Sequence, residues 1–240
     1  SSVDLPVADM LTNSLDALRE FSKGISYIYI FDLEAAIPYL EKAVEIDETF
    51  AMAYMPLQGC YVMSNQGDKR AWAIKKLMNY IYRLPERIQF LPKVIYFSAI
   101  MNDMDKAMQT MEIHLDLFPE DITALTIHAQ LLQSQGKYEE MIETYETILE
   151  IDPTQYNHLL SIGAIYTHFI KDEDRAMIYF NQYLEHFPND YKVHEKLARL
   201  YSNRGNEGDK DKAKESWNQV ALLDPGNITA SRKIVSYDYE

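Results

Sequence analysis

The chain has 240 residues, 47% of them hydrophobic and 25% charged, the balance of an ordinary folded protein rather than of a linker or a disordered tail. Its net charge of −14 argues against a nucleic-acid partner, because that affinity comes largely from neutralising phosphates with Lys and Arg. No apolar run approaches the ~20 residues of a membrane span, so no direct membrane insertion is expected, and the single cysteine, Cys60, excludes an internal disulfide framework.

In chain order, the opening S-S-V-D-L-P-V-A-D-M shows no signal peptide and reads as the edge of an excised domain rather than a natural start. Leu5 to Leu11 lacks clear periodicity and is expected either to lie along the first helical hairpin or to be loose. Beyond it the chain repeats one device. Pro85, Pro119, Pro153, Pro188 and Pro225 end helices, and Glu48 stands for a sixth such site. Counting back twelve from each gives Ala36, Ala73, Ala107, Met141, Ala176 and Ala213. Four beyond those lie Leu40, Leu77, Met111, Tyr145, Phe180 and Trp217. Six forward from Glu48 through Pro188 come Tyr54, Leu91, Leu125, Leu159 and His194, each expected to open a new helix.

The stretch Gly136 to Pro153 shows the device best. Tyr138, Met141, Ile142, Tyr145, Ile148 and Leu149 form one apolar stripe at helical spacing, and five glutamates fill the other side. Gly136 suits the left-handed residue that ends the preceding helix. Insertions are expected in the turns inside hairpins, at S-N-Q-G-D-K and S-N-R-G-N-E-G-D-K, because turns tolerate length and helix contacts do not. Pro38, Pro56 and Pro92 fall inside helices, remove backbone donors and should bend them.

These residues resemble the tetratricopeptide repeat, a 34-residue pair of helices. The fifth unit carries the pattern as Leu159, Ile162, Gly163, Tyr166, Ala176, Phe180 and Pro188, and the sixth as His194, Leu197, Ala198, Tyr201, Ala213, Trp217 and Pro225. The resemblance implies an all-α, right-handed superhelical solenoid of about six hairpins. Its repeats run approximately 17–50, 51–87, 88–121, 122–155, 156–190 and 191–226, with a capping helix over 227–239, as one domain over 1–240. In the cap, Ile234 and Val235 are expected to turn inward. Gln58 and Ile95 stand where the pattern wants a small residue, so the second and third units should pack less regularly. The stretch L-T-N-S-L-D-A-L-R-E-F-S-K-G, Leu11 to Gly24, followed by A-I-P-Y-L-E-K-A-V-E-I-D-E-T-F-A-M-A-Y, is also similar to the start of the repeat regions of bacterial multidomain signalling proteins, which attach them to kinase, cyclase or winged-helix modules.

The search for chemistry is nearly empty. There is no nucleophile elbow, phosphate loop or dinucleotide fingerprint. H-E-K-L-A at His194 lacks a second histidine, and Lys171-Asp172-Glu173-Asp174 lacks the glycine and glutamate of a calcium loop and reads as a solvated helix start. Cys60 reads as a buried small hydrophobe. No catalytic residue, metal or cofactor is expected, and the chain reads as a non-enzyme.

Binding remains. By the family resemblance the first helix of each hairpin lines a concave groove that takes a protein or peptide. Phe21, Ile25, Tyr29, Met55, Met63 and Tyr96 would form an apolar part, extra core being the rival reading for this zone. Thr126, Gln130, Ser161 and the neighbouring Ser134, Thr167 and His168 would make a neutral hydrogen-bonding part. Lys192, Lys196 and Arg199 would make a basic end for an acidic stretch of the partner, with a plain solvated face as the rival. The Lys and Asn positions with which chaperone-binding members hold a C-terminal carboxylate carry Phe21, Ile25 and Pro56 here, so chaperone binding is not expected. The runner-up reading is a ligand-sensing regulatory domain of a larger signalling protein, placed in the cytoplasm or outside it on a membrane-anchored parent.

Overall fold

The structure, a computed structural model, describes residues 12–239; the Leu5 to Leu11 stretch lies outside them. Among the described residues there are thirteen α-helices and no strand. The chain divides into two compact units, residues 1–124 and 125–240.

In the first unit α1 (Leu15–Tyr29) pairs with α2 (Leu33–Ile46), α3 (Ala51–Met63) with α4 (Gly67–Asn79), and α5 (Glu86–Ile95) with α6 (Met104–Leu117). A single turn of 3-10 helix, Ile81–Arg83, separates α4 from α5. α7 (Ile122–Gln135) spans the division between units. In the second unit α8 (Tyr138–Ile151) is followed by the pairs α9 (Asn157–Ile165) with α10 (Glu173–His186) and α11 (Tyr191–Arg204) with α12 (Asp209–Leu223), then by α13 (Ile228–Tyr239).

The offsets read in the sequence are the core of both units. All six residues at the Ala-type position, from Ala36 to Ala213, are buried, and so are the six large residues four places on, from Leu40 to Trp217. The reason shows at the glycines. A Cβ on Gly24 would lie 2.7 Å from Leu40, and one on Gly163 would lie 2.7 Å from the Phe180 ring. The small residue of a first helix therefore admits the large residue of its partner, letting the two backbones close up. The positions expected to open helices sit further in: Tyr54 is the fourth residue of α3 and Leu159 the third of α9. Their burial, rather than a capping role, fixes the spacing.

Each hairpin turn reverses through a left-handed residue, namely Phe31, Asn65, Asn102, Gly136, Lys171 and Gly205, and the last turn has a second, Gly208. Asp32, Asp103 and Asp172 then cap the second helices by accepting the N–H of Ala35, Lys106 and Arg175. The acidic run at Asp172 is thus a helix start. The two insertions behave differently from each other. S-N-Q-G-D-K is not a longer loop: α4 begins at Gly67, so the extra residues become an added first turn of helix. The second insertion does form a loop, from Gly205 to Gly208, and holds itself by an ion cluster in which Arg204 bonds both the buried Asp209 and Asp174. α5 and α9 both run into a π turn, Tyr96–Ile100 and Tyr166–Ile170. In α13, Ile234 does pack inward, on Ala198, Trp217, Val220 and Ala230, but Val235 is 53% exposed and points away. A one-residue step on a helix turns a side chain by about 100°, too far for adjacent residues to share one narrow face.

Candidate binding surfaces

The basic trio is brought together in the second unit. Lys192, Lys196 and Arg199 on α11 line a pocket of ≈470 Å³ with Thr167 and His168 from the π turn after α9. Its floor is apolar, made by Phe180 of α10 and Leu200. Arg199 is already engaged: Nη2 and Nε donate to Glu195 Oε1 at 2.6 and 3.1 Å, and the guanidinium stands 5.6 Å from the Trp217 ring. The Lys196 ammonium stands 5.9 Å from the Phe180 ring centroid. Among the described residues neither Lys192 nor Lys196 has a carboxylate within ion-pair distance, and both are exposed. The pocket thus holds two uncompensated positive charges above an apolar floor, in a chain of net charge −14.

The neutral part contributes less than expected. Ser161 Oγ donates to the Asn157 carbonyl at 3.2 Å and Thr167 Oγ1 to that of Gly163 at 2.8 Å. Ser134 Oγ likewise donates to Leu131 O. These hydroxyl protons are spent on their own helices, the usual local competition of Ser and Thr. Thr126 is half-buried on α7, while Gln130 and His168 are exposed.

The apolar part separates. Phe21 is half-buried: it packs against the core of the first unit, its ring on Phe50 with centroids 5.0 Å apart. Ile25 is half-buried, and Tyr96 is half-buried in a π turn, edge-on to Phe97. Tyr29 and Met63, at the ends of α1 and α3, are 80% and 74% exposed. Met55 does reach a cavity, a pocket of ≈270 Å³ between α3, α4 and α5. Gln58 and Ile95 stand in its wall with Leu77. They are the two residues that depart from the small-residue pattern. The pocket itself was not foreseen, yet its signal lay in those two positions.

Burial pushes the Cys60 thiol up, away from a reactive thiolate. Tyr61 is raised by burial and by its hydrogen bond to Glu41. Among the described residues no group of three or more His, Cys, Asp or Glu is placed to hold a metal ion, and no helix is long and apolar enough to cross a membrane.

Comparison with known proteins agrees with this geometry. The family model of the tetratricopeptide repeat matches residues 21–50 and 122–155. The chain contains tetratricopeptide repeats at these two stretches. It is 30% identical over 130 residues to the general transcriptional corepressor ssn6 of Schizosaccharomyces pombe, a match covering 53% of this chain but spanning only 11% of the corepressor's length. Among solved structures, the C-terminal part of a repeat protein from Cytophaga hutchinsonii superposes with a TM-score of 0.66 at 17% identity, covering 92% of this chain and 89% of that one. YrrB, described as a repeat protein with an unusual peptide-binding site, gives 0.52 at 18% identity over 75% of this chain and 91% of its own. At such identities these structures share the fold.

Proposed function

We propose that this repeat protein is a non-catalytic scaffold that binds a segment of a partner protein, with an acidic part of that segment at Lys192 and Lys196. The observation that carries the reading is the pocket in the second unit, where two ammonium groups without carboxylate partners overhang Phe180 and Leu200. An acidic side chain seated there would meet both cations, and its aliphatic stem would rest on the apolar floor. Arg199, already held by Glu195, serves to shape the wall rather than to add free charge. Support from kinship is general: YrrB, of the same fold, is described as having a peptide-binding site. In the first unit, the pocket at Met55 is sized for one aliphatic or aromatic side chain and is the natural apolar anchor. Nucleic acid is not part of the proposal, since −14 repels a phosphate backbone.

The test is affinity capture with the wild-type chain and with the Lys192→Glu, Lys196→Glu double variant. A partner held by the first and lost by the second, and whose bound segment is acidic, supports the site. A partner held equally by both places the binding surface elsewhere.

A further inference from the structure

The pocket on α11 carries more positive charge than one carboxylate can meet. Its wall holds three cations, Lys192, Lys196 and Arg199, and one carboxylate, Glu195. Glu195 is taken up by Arg199, so the surplus of two charges sits on the two ammonium groups. Lys192 and Lys196 are four residues apart on α11, a spacing at which Cβ atoms stand about 5–6 Å from each other. On flexible four-carbon stems both ammonium groups can converge on a single anion. Two further donors, the His168 ring and the Asn203 side-chain amide, line the same pocket. Both are exposed and, among the described residues, make no hydrogen bond. The Thr167 hydroxyl, by contrast, is spent on the Gly163 carbonyl. Beneath these groups lie Leu200 and the Phe180 ring, whose centroid is 5.9 Å from the Lys196 ammonium. The volume of ≈470 Å³ falls within the roughly 300–1,000 Å³ of ligand pockets. It has room for a ring as well as for a charged group.

We propose that the acidic group seated in this pocket is a phosphorylated tyrosine of the partner segment, a reading that rests on the scaffold function proposed above and sharpens it. An Asp or Glu side chain brings one negative charge and leaves one ammonium group unanswered. A phosphate monoester brings about −1.5 to −2 at pH 7 and three acceptor oxygens. That is enough for both lysines, with one oxygen left for His168 or Asn203. Phosphoserine brings the same charge but only one methylene group for the apolar floor. The ring of phosphotyrosine lies across Phe180 and Leu200 with its phosphate against the lysines, and so uses both halves of the pocket.

The probes are end-blocked phosphotyrosine, phosphoserine and glutamate, each N-acetylated and C-amidated. Each is titrated into the whole isotope-labelled chain and followed by amide chemical shifts. Phosphotyrosine should bind saturably, shift the amides of Thr167, His168 and α11, and bind about tenfold more tightly than phosphoserine or glutamate. The Lys192→Gln, Lys196→Gln variant should weaken it by about tenfold or more. Both lysines are exposed, so the variant keeps the wild-type urea midpoint, which shows that it is folded. Glutamate binding as tightly as phosphotyrosine overturns the proposal, because a single charge then suffices. Phosphoserine binding as tightly overturns it too, because the ring then adds nothing. So does the absence of saturable phosphotyrosine binding, or binding that survives Lys192→Gln, Lys196→Gln. Failure of the scaffold reading looks different. A captured partner lost by Lys192→Glu, Lys196→Glu, with no preference for phosphotyrosine among the probes, keeps an acidic segment at this pocket and removes only its phosphate. A partner held equally by that variant removes the segment itself.

Discussion

Replacing Gly163 by leucine adds a side chain where a neighbour already stands. A Cβ at this position would lie 2.7 Å from Cε1 and 2.9 Å from Cδ1 and Cζ of Phe180, well inside the roughly 3.5–4.0 Å at which carbon atoms attract. Phe180 is fully buried and cannot swing aside without opening the core. Overpacking of this kind costs about 1–3 kcal/mol. Helix propensity works in the other direction, because glycine is worse than most residues in a helix by about 1 kcal/mol. For alanine the two effects nearly cancel. For leucine three further carbons meet the same ring, so the cost lies at the upper end and the net loss is about 2 kcal/mol. The control is Gly67→Ala at the exposed start of α4, where a Cβ meets nothing within 4 Å; it should change stability by less than ~0.5 kcal/mol. Gly205 would be a poor control, because its φ of +66° penalises any side chain. Urea melts followed by circular dichroism measure both variants. If Gly163→Leu unfolds at the wild-type midpoint, the pairing of small and large positions between helices is wrong.

Phe21→Ala should destabilise the first unit, at the low end of the ~3–5 kcal/mol typical of buried phenylalanine, because the ring packs on Phe50; a urea midpoint equal to wild type would return Phe21 to the binding surface. Asp209 is held down to about 2 by its hydrogen bonds from Arg204. A carboxyl whose folded value is depressed adds stability that is complete above its unfolded value near 4 and is lost as pH falls towards 2. Asp209→Asn should therefore weaken the chain at pH 7 yet flatten its stability loss between about pH 5 and pH 2, and an unchanged slope in urea melts across that window would refute the cluster's role. Cys60, buried with its thiol pushed up, should resist a thiol reagent in the native chain and react once urea unfolds it; fast native reaction would show that α3 opens locally.

Much of the fold was legible because one physical event recurs: a small residue on one helix meets a large one on the next. That event leaves fixed offsets in the sequence, and every Ala-type and large position proved buried. Where the chain adds residues, the sequence shows the count but not their conformation. From Gly67 on, the S-N-Q-G-D-K insertion became helix, because Asp68 suits a helical first turn and Lys69 and Arg70 continue it, whereas Gly205 and Gly208 both take positive φ and keep their insertion a loop. The site was legible only in part. Lys192, Lys196 and Arg199 share a face because of their spacing, and the structure brings them to one pocket. Which of them is free depends on Glu195, four residues before Arg199, whose orientation a spacing rule does not decide. Phe21 illustrates the other limit. A large apolar residue on a first helix reads equally as groove or core, and the spacing does not show that its ring rests on Phe50, distant in sequence, while part of it stays exposed.

The most direct test of the proposed site is the association rate of the captured partner segment, measured by stopped flow as ionic strength rises to about 150 mM, where the screening length is near 8 Å. Wild-type association should slow steeply with salt, and the Lys192→Glu, Lys196→Glu variant should associate more slowly with little dependence on it. Equal rates with the same salt dependence in both proteins would contradict the assignment of the acidic part of the partner to this pocket.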